Sequence, residues 1–243
     1  MKKERKVLAI IPARGGSTRI LNKNIRMFAG KPLIYHTIKQ AKDSKFFDRV
    51  IVDTDSEEIA KVAKKYGAEV PFLRPAKLAT STAKVADSFL HLLTRLKKDE
   101  GYEPTHFAIL QTTGPLREIS DIRDSWELMQ KTKATTVVTV CDTRPKAKDL
   151  CWLTKNTFTL PTNLISGPKN SALHGYNGLV YIIDTKAFLK EKTCLTSKTV
   201  GLVRPEWRSI DIDVAEEFVL AELLYKNKSK YLKRLEAFSK QKT

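Results

Sequence analysis

The chain has 243 residues, 42% of them hydrophobic, which excludes a fibrous or disordered protein because a full core can be buried. Its formal net charge of +17 at pH 7 favours polyanionic partners such as nucleoside triphosphates, nucleic acid or acidic membrane surfaces, without choosing among them. The three cysteines show no CxxC spacing and predict neither a disulfide framework nor a zinc site. Only the short run VLAII follows the charged amino terminus, so we expect no signal peptide, no membrane partner and a cytoplasmic location.

The first half alternates short runs rich in Val and Ile with segments of helical period, which is the pattern of stacked βαβ units. The predicted strands are residues 6–11, 49–52, 105–111 and 135–140. The predicted helices are residues 31–44, 57–66, 83–98 and 119–131, and Ser56 is the expected N-cap of the second. The sequence therefore predicts an α/β fold, with a mostly parallel sheet flanked by helices.

The alternation stops at an irregular stretch, residues 142–176, rich in Pro, Lys, Asn, Thr and Ser. It is too long for an ordinary connection and too apolar in places for a free linker. Within a single domain spanning 1–243, we expect it to form an arm that packs on another subunit. A strand at 178–183 and a helix at 213–225 follow, and the basic residues beyond them are interpreted as solvated faces and a frayed tail.

The loop after the first strand, IPARGGSTRILNKN, combines glycines with basic side chains. Its candidate ligand-binding residues are Ala13, Arg14, Gly15, Arg19, Lys23 and Asn24. Glycines let backbone N–H groups approach a ligand closely, and fixed cations neutralise clustered phosphate oxygens. The spacing is neither GxxxxGK[ST] nor GxGxxG. Because the carboxyl ends of strands in open α/β sheets bind ligands, we interpret the loop as a triphosphate cradle rather than an exposed basic turn.

The segment SIDID near the carboxyl terminus contains two carboxylates, Asp211 and Asp213, which an extended backbone would point to one side. Magnesium prefers oxygen ligands and commonly binds through one or two carboxylates plus substrate phosphates. We therefore expect Asp211 and Asp213 to hold Mg²⁺. The alternative is that Asp213 is only the N-cap of the following helix.

Seven motifs then occur in a familiar order: IPARGGSTRILNKNIR, GKPLIYHTI, IVDTDSEEIA, AEVPFLRPAKLA followed by TA, LQTTGPLR, NGLVYI and SIDID. In this order they resemble the acylneuraminate cytidylyltransferases, over most of the chain. The resemblance implies a Rossmann-like fold, a homodimer formed through the inserted arm, a requirement for Mg²⁺, and transfer of CMP from CTP to an acidic sugar. Sialate, legionaminate and pseudaminate are all sugars of this class.

The resemblance also implies individual roles. It assigns phosphate contacts to Arg14 and Lys23, nucleotide contacts to Asn24, Arg74 and Ala83, a sugar contact to Gln111, the metal site to Asp211 and Asp213, and the turn before a strand to Asn177 and Gly178. Arg117 is either a site residue or a helix cap. Asp55 is either a metal or nucleotide contact or a helix cap, and His36, His91 and His106 are not expected to be catalytic.

Three departures from the family pattern concern the ligand. Thr18 replaces the usual lysine of the loop, and Ser81 stands where an aspartate is frequent. The stretch GPKNSALHGY lacks the usual sugar-facing arginine, so Lys169 or His174 would replace its charge. Two alternatives follow. One is a 3-deoxy-manno-octulosonate cytidylyltransferase, which Thr18 favours but QTTGP opposes, because that segment lacks the acidic residue expected in the equivalent loop of those enzymes. The other is a non-catalytic relative that binds nucleic acid, which the charge permits but no motif supports.

Overall fold

The computed structural model describes residues 5–142, 152–154, 157–159 and 174–240. The strands in chain order are β1 (Val7–Pro12), β2 (Met27–Phe28), β3 (Lys31–Pro32), β4 (Arg49–Asp53), β5 (His106–Ile109), β6 (Thr136–Asp142), β7 (Trp152–Thr154), β8 (Thr157–Thr159), β9 (His174–Asp184) and β10 (Thr199–Val203). The helices are α1 (Leu33–Asp43), α2 (Glu57–Lys65), α3 (Val85–Glu100), α4 (Ile119–Thr132), α5 (Thr185–Glu191), α6 (Ala215–Lys226) and α7 (Lys228–Lys240).

Six strands form the main sheet, in the order β10-β6-β9-β5-β1-β4. β1 runs parallel to β4 and β5, and β10 runs parallel to β6. β9 is antiparallel to both of its neighbours, β5 and β6. The predicted α/β fold with a mostly parallel sheet is thereby confirmed, and the carboxyl ends of the five parallel strands share one edge, where such folds bind ligands.

The sheet is buried on both faces because its central strands consist almost entirely of apolar residues. In β1, Ala9 and Ile11 enter one core cluster, while Leu8 and Ile10 enter the cluster on the opposite face. Helices α1, α2 and α4 cover the first face, and α3 and α5 cover the second. This three-layer core fixes the positions from which the loops at the carboxyl edge depart.

The first predicted helix begins two residues later than expected. Lys31 and Pro32 pair with Phe28 and Met27 in the short hairpin β2–β3, and the N–H of Leu33 then donates to the carbonyl of Arg26. The hairpin buries Phe28 against α6, so tertiary packing overrides the helical pattern at these two positions. The predicted N-cap of α2 is confirmed, since the Ser56 hydroxyl accepts from the N–H of Ile59 at 3.3 Å.

Outside the predicted arm at 142–176, the carboxyl-terminal half contains three helices or strands that the sequence pattern did not predict: α5, β10 and α7. The predicted frayed tail is in fact helix α7, although it buries no residue completely. Lys228 forms an ion pair with Glu118 at 2.5 Å, and the Tyr231 ring lies 5.6 Å from that of Trp207. These two contacts attach the start of α7 to the body.

The predicted strand at 178–183 is the longer β9, because its first residues pair with the end of β6, His174 opposite Asp142. Of the predicted arm at 142–176, the described parts are the residues at its two ends and the antiparallel pair β7–β8. The predicted helix at 213–225 is α6, which begins at Ala215. Among the helices that the structure describes, none has both the length and the apolar character needed to cross a membrane.

Candidate active site

A cleft of about 600 Å³ opens at the carboxyl edge of the sheet, within the size range of small-molecule sites. It brings together most of the residues selected from the sequence. Those that line it are Arg14, Arg19, Lys23, Asn24, Arg74, Ala83, Gln111, Asp211 and Asp213. They come from four separate stretches of chain, which the parallel strands deliver to the same edge.

Ala13 and Gly15 do not line this cleft. The N–H of Ala13 donates to the carbonyl of Asp53 at 3.0 Å, and Ala13 is buried. The N–H of Gly15 donates to the Asp55 carboxylate at 2.9 Å. Both N–H groups are thus used to attach the loop to the end of β4, and Asp55, one of the residues left open between two roles, holds the loop in place.

Asn24 lines the cleft, yet both ends of its buried amide bond to protein. Its Nδ2 donates to the carbonyl of Arg14 at 3.0 Å, and its Oδ1 accepts from the Thr112 hydroxyl at 2.6 Å. The amide therefore joins the loop to the segment that follows β5. Thr112 was not selected from the sequence, although its place directly after a buried strand is a signal for a residue at the ligand edge.

Arg74 is fixed by a buried ion pair at the end of β4. Its Nη2 donates to the Asp53 carbonyl at 2.8 Å and to the Asp53 carboxylate at 2.7 Å, and the two side chains are 6% and 5% exposed. The Ser88 hydroxyl donates to the same carboxylate at 2.5 Å. The guanidinium is therefore held rigidly at the end of β4, in the wall of the cleft that Ala83 also lines.

The two aspartates of SIDID face the cleft on either side of Ile212, which is fully buried. Asp213 forms ion pairs with Arg19 at 3.1 Å and with Lys23 at 3.3 Å. Loss of water around the carboxyl group raises the pKa of Asp211, a hydrogen bond with Thr113 opposes that rise, and the negative charge of Asp213 adds to it. The predicted N-cap role of Asp213 is not observed, because α6 begins after Val214 and Glu217 accepts from the N–H groups of Asp213 and Val214.

Gly178 lies next to Gln111, the predicted sugar contact, and close to Asp211. Its φ of +66° lies in the left-handed region, and a Cβ at this position would stand 2.3 Å from Oε1 of Gln111 and 3.7 Å from Oδ2 of Asp211. Only a residue without a side chain fits such an approach. Asn177 supports the turn, since its amide bonds to the Ser209 hydroxyl at 2.9 Å and to the N–H of Leu179.

Arg117 is neither a cleft residue nor a helix cap. It is buried, and its guanidinium donates to the carbonyls of Gln111 and Leu179 and to Oε1 of Gln40. Burial lowers the pKa of Arg117 to about 10, a shift that the nearby Asp121 opposes. The side chain joins the segment after β5 to β9 beneath Gln111, and the cap of α4 is Glu118.

The two other predicted sugar-side residues and the histidines are not among the cleft residues that the structure describes. Lys169 is outside the described residues. His174 does not line the cleft, and its Nε2 lies 3.1 Å from the Asp142 carboxylate. His36 is buried, with Nε2 2.8 Å from the Phe28 carbonyl, and burial lowers its pKa. His106 begins β5, at the opposite edge of the sheet.

Fold and cleft together define a nucleotide-binding α/β protein whose site combines fixed cations with two carboxylates. The model of the Cytidylyltransferase family matches residues 8–152. The chain belongs to this cytidylyltransferase family, and it is therefore an enzyme of the nucleotidyltransferase class.

Curated relatives cover nearly the whole chain. The chain is 34% identical to the CMP-N,N'-diacetyllegionaminic acid synthase of Legionella pneumophila, over 90% of this chain and 96% of the relative. It is 31% identical to a pseudaminic acid cytidylyltransferase of Campylobacter jejuni, over 91% of this chain and 97% of the relative. It is also 32% identical to the N-acylneuraminate cytidylyltransferase of Escherichia coli, over 93% of this chain but only 53% of that longer protein.

Two solved structures share the fold. A CMP:2-keto-3-deoxy-manno-octonic acid synthetase complexed with CTP has a TM-score of 0.67 and 15% identity, over 92% of this chain and 99% of that chain. A 4-diphosphocytidyl-2C-methyl-D-erythritol synthase from Anaerococcus prevotii has a TM-score of 0.63 and 14% identity, over 91% of this chain and 99% of that chain. At such identities the likeness concerns the fold alone.

Proposed function

We propose that this protein transfers CMP from CTP to a nonulosonic acid, a nine-carbon acidic 2-keto-3-deoxy sugar, and releases pyrophosphate. The observation that carries the proposal is the cleft. Around one cavity it places the cations of the loop, the Arg74 guanidinium, Gln111 and two carboxylates. The names of relatives 31–34% identical over most of the chain support the sugar class.

The reaction is an in-line attack by the anomeric hydroxyl oxygen of the sugar on the α-phosphorus of CTP. Its O–P bond forms as the bond to the bridging oxygen of pyrophosphate breaks, and the hydroxyl proton leaves to solvent. Arg14, Arg19 and Lys23 bind the phosphate oxygens and neutralise the charge that grows on the leaving group. Arg74 and Ala83 border the nucleoside, and Gln111 orients the sugar beside Asp211. Positioning supplies most of the acceleration.

We propose Mg²⁺ as the metal, held by Asp211 and Asp213. Two carboxylates that face one cleft fit a hard cation with oxygen ligands, and Asp211 feels both loss of water and the repulsion of Asp213, which a cation would relieve. Within the described residues, no group of three or more His, Cys, Asp or Glu side chains is arranged to hold a metal ion, so phosphate oxygens and water would complete the coordination. When bound, the ion would neutralise phosphate charge and polarise the phosphorus centre.

The positive charge toward the sugar carboxylate is where this sequence departs from the family pattern, because the usual arginine is missing. His174 lies at the carboxyl edge in an ion pair with Asp142 if it is protonated, and Lys169 precedes it in the sequence of the proposed arm. We propose that Lys169 or His174 takes the place of the missing arginine toward the sugar carboxylate. We also propose a homodimer formed through residues 142–176, and a cytoplasmic location, which the free thiols of Cys141 and Cys194 support.

A pyrophosphate-release assay tests the function. Purified protein receives CTP, Mg²⁺ and one sugar at a time: N-acetylneuraminate, diacetyllegionaminate, pseudaminate or 3-deoxy-manno-octulosonate. We expect release that requires both CTP and a nonulosonate. Arg14→Gln should lower it about a hundredfold, whereas Lys39→Gln, which removes a cation paired with Asp43 on the surface, should not change it.

The alternatives give different results in the same protein. Turnover with 3-deoxy-manno-octulosonate alone would assign the octulosonate activity instead. Release with none of the four sugars, together with RNA or DNA binding that weakens steeply with salt, would assign the nucleic-acid-binding alternative. Light scattering at several concentrations measures the proposed homodimer independently, and a monomer at all of them contradicts it.

A further inference from the structure

In the free protein, Asp213 is bound to the cations that the phosphates of CTP need. Its Oδ2 lies 3.1 Å from Nη1 of Arg19, and its Oδ1 lies 3.3 Å from Nζ of Lys23. The Lys23 ammonium also donates to the carbonyl of Ile212 at 2.6 Å. Both carboxylate oxygens are therefore occupied by two of the three cations of the loop.

The third loop cation differs. Arg14 lines the same cleft, and no carboxylate among the described residues pairs with it. A triphosphate entering the cleft would thus find Arg14 available, whereas Arg19 and Lys23 are already neutralised. A carboxylate oxygen and a phosphate oxygen compete for the same N–H donors.

The ion pairs are able to exchange because of their exposure. The side chains of Arg19 and Asp213 are 66% and 55% exposed, so their pair is solvated and weak. Lys23 is only 15% exposed, and its bond to the Ile212 carbonyl keeps its ammonium at the cleft wall when Asp213 leaves. The cations would therefore stay in position while their partner changes.

Resting on the function proposed above, we propose that the Asp213 side chain occupies the triphosphate subsite of the free protein by pairing with Arg19 and Lys23. When a divalent cation binds the Asp213 carboxylate, both cations are released to bind the phosphates. Asp213 is then a positioning residue before the nucleotide binds and a metal ligand afterwards. Divalent cation and triphosphate must consequently bind with positive coupling, each raising the affinity for the other by the same factor.

The competing explanation is that Asp213 simply adds negative charge to a site for a polyanion. Asp211 is the matched control, because it lines the same cleft two residues away and its carboxyl bonds to Thr113. The charge of Lys23 acts on Asp211 only at longer range, without the ion-pair contact that Lys23 makes with Asp213. If general charge explains the effect, removing either carboxylate should tighten CTP binding equally. If Asp213 sequesters the cations, the two variants should differ.

Calorimetric titration of CTP in EDTA at fixed ionic strength separates these explanations without turnover. Asp213→Asn should bind CTP about tenfold more tightly than the unsubstituted protein, and Asp211→Asn should gain much less. In the Arg19→Gln background, the gain from Asp213→Asn should shrink, as a double-mutant cycle requires for a direct pair. Asp213→Ser provides a second neutral side chain, and thermal unfolding confirms that each variant is folded.

Equal gains for Asp213→Asn and Asp211→Asn, no gain for Asp213→Asn, or an undiminished gain without Arg19 would each overturn the proposal. If the unsubstituted protein binds CTP and turns it over while these binding results fail, the proposed function stands and only the role of Asp213 is wrong. If the unsubstituted protein does not bind CTP even with Mg²⁺, both are wrong.

Discussion

Adding one methyl group at Gly178 should damage catalysis far more than stability. The φ of +66° is a left-handed conformation that costs an L-residue about 1 kcal/mol. The new Cβ would stand 2.3 Å from Oε1 of Gln111, and ordinary contact begins at 3.4 Å, so the amide must retreat by 3.4 − 2.3 = 1.1 Å. A displacement of about 1 Å in a positioning group costs on the order of a hundredfold in rate.

Gly101 supplies a matched control for the backbone strain. Its φ of +63° is nearly the same, but a Cβ there would have no heavy atom within 4 Å. Gly101→Ala should therefore lower the midpoint of thermal unfolding by about 2–4 °C and leave kcat/KM unchanged. Gly178→Ala should cause a similar or slightly larger thermal shift, and should lower kcat/KM for the sugar about a hundredfold.

The assay is pyrophosphate release at varied sugar and saturating CTP, with thermal unfolding of each variant measured in parallel. Adding Gln111→Ala to Gly178→Ala removes the side chain that the methyl displaces, so the double variant should be no slower than Gln111→Ala alone. A Gly178→Ala protein with unchanged kcat/KM would refute this reasoning, as would an equal loss of activity in Gly101→Ala.

Three further predictions concern the same edge of the sheet. Asp53→Asn breaks the buried pair with Arg74 and should cost about 3–5 kcal/mol in urea unfolding, whereas Lys39→Gln on the surface should leave the unfolding midpoint unchanged. Thr112→Val loses the hydroxyl bonded to Asn24 and should raise the KM for CTP about fivefold, with a smaller change in the KM for the sugar. Because the pKa of Asp211 is raised in the folded protein, its contribution to stability is present at low pH and is lost as pH rises through that pKa. In EDTA, Asp211→Asn should accordingly be more stable than the unsubstituted protein at neutral pH, and the difference should disappear in acid.

The sheet was predictable from sequence because its central strands are buried on both faces and therefore consist of continuous apolar runs. Within the predicted strands 6–11 and 135–140, residues 7–11 and 136–140 are continuous apolar or β-branched runs, and the structure places them in β1 and β6. β10 failed the same test because its residues alternate between exposed and half-buried at the edge of the sheet. The prediction of a helix start at Lys31 was wrong for another reason. Only the pairing of Lys31 and Pro32 with the other strand of the hairpin distinguishes that strand from the first turn of a helix.

The sequence predicts which residues line the cleft, but not the hydrogen bonds and ion pairs that they make with one another. The rule that ligands bind at the carboxyl edge of parallel strands selects the loop after β1 and the segment after β5. What each residue does there depends on partners far along the chain. Arg117 bonds to carbonyls 6 and 62 residues away, and this separation is why sequence alone left it divided between a site role and a cap.

The distribution of charge shows why the net value of +17 is a poor guide to the cleft. Inside the cleft, Arg74 is neutralised by Asp53, and Asp213 partly neutralises Arg19 and Lys23. Much of the excess lies instead on surfaces such as α7, which carries four lysines and one arginine against a single glutamate. Removing those surface charges should therefore change the salt dependence of association more than the affinity for CTP, because long-range attraction acts on encounter while the cations of the cleft decide binding.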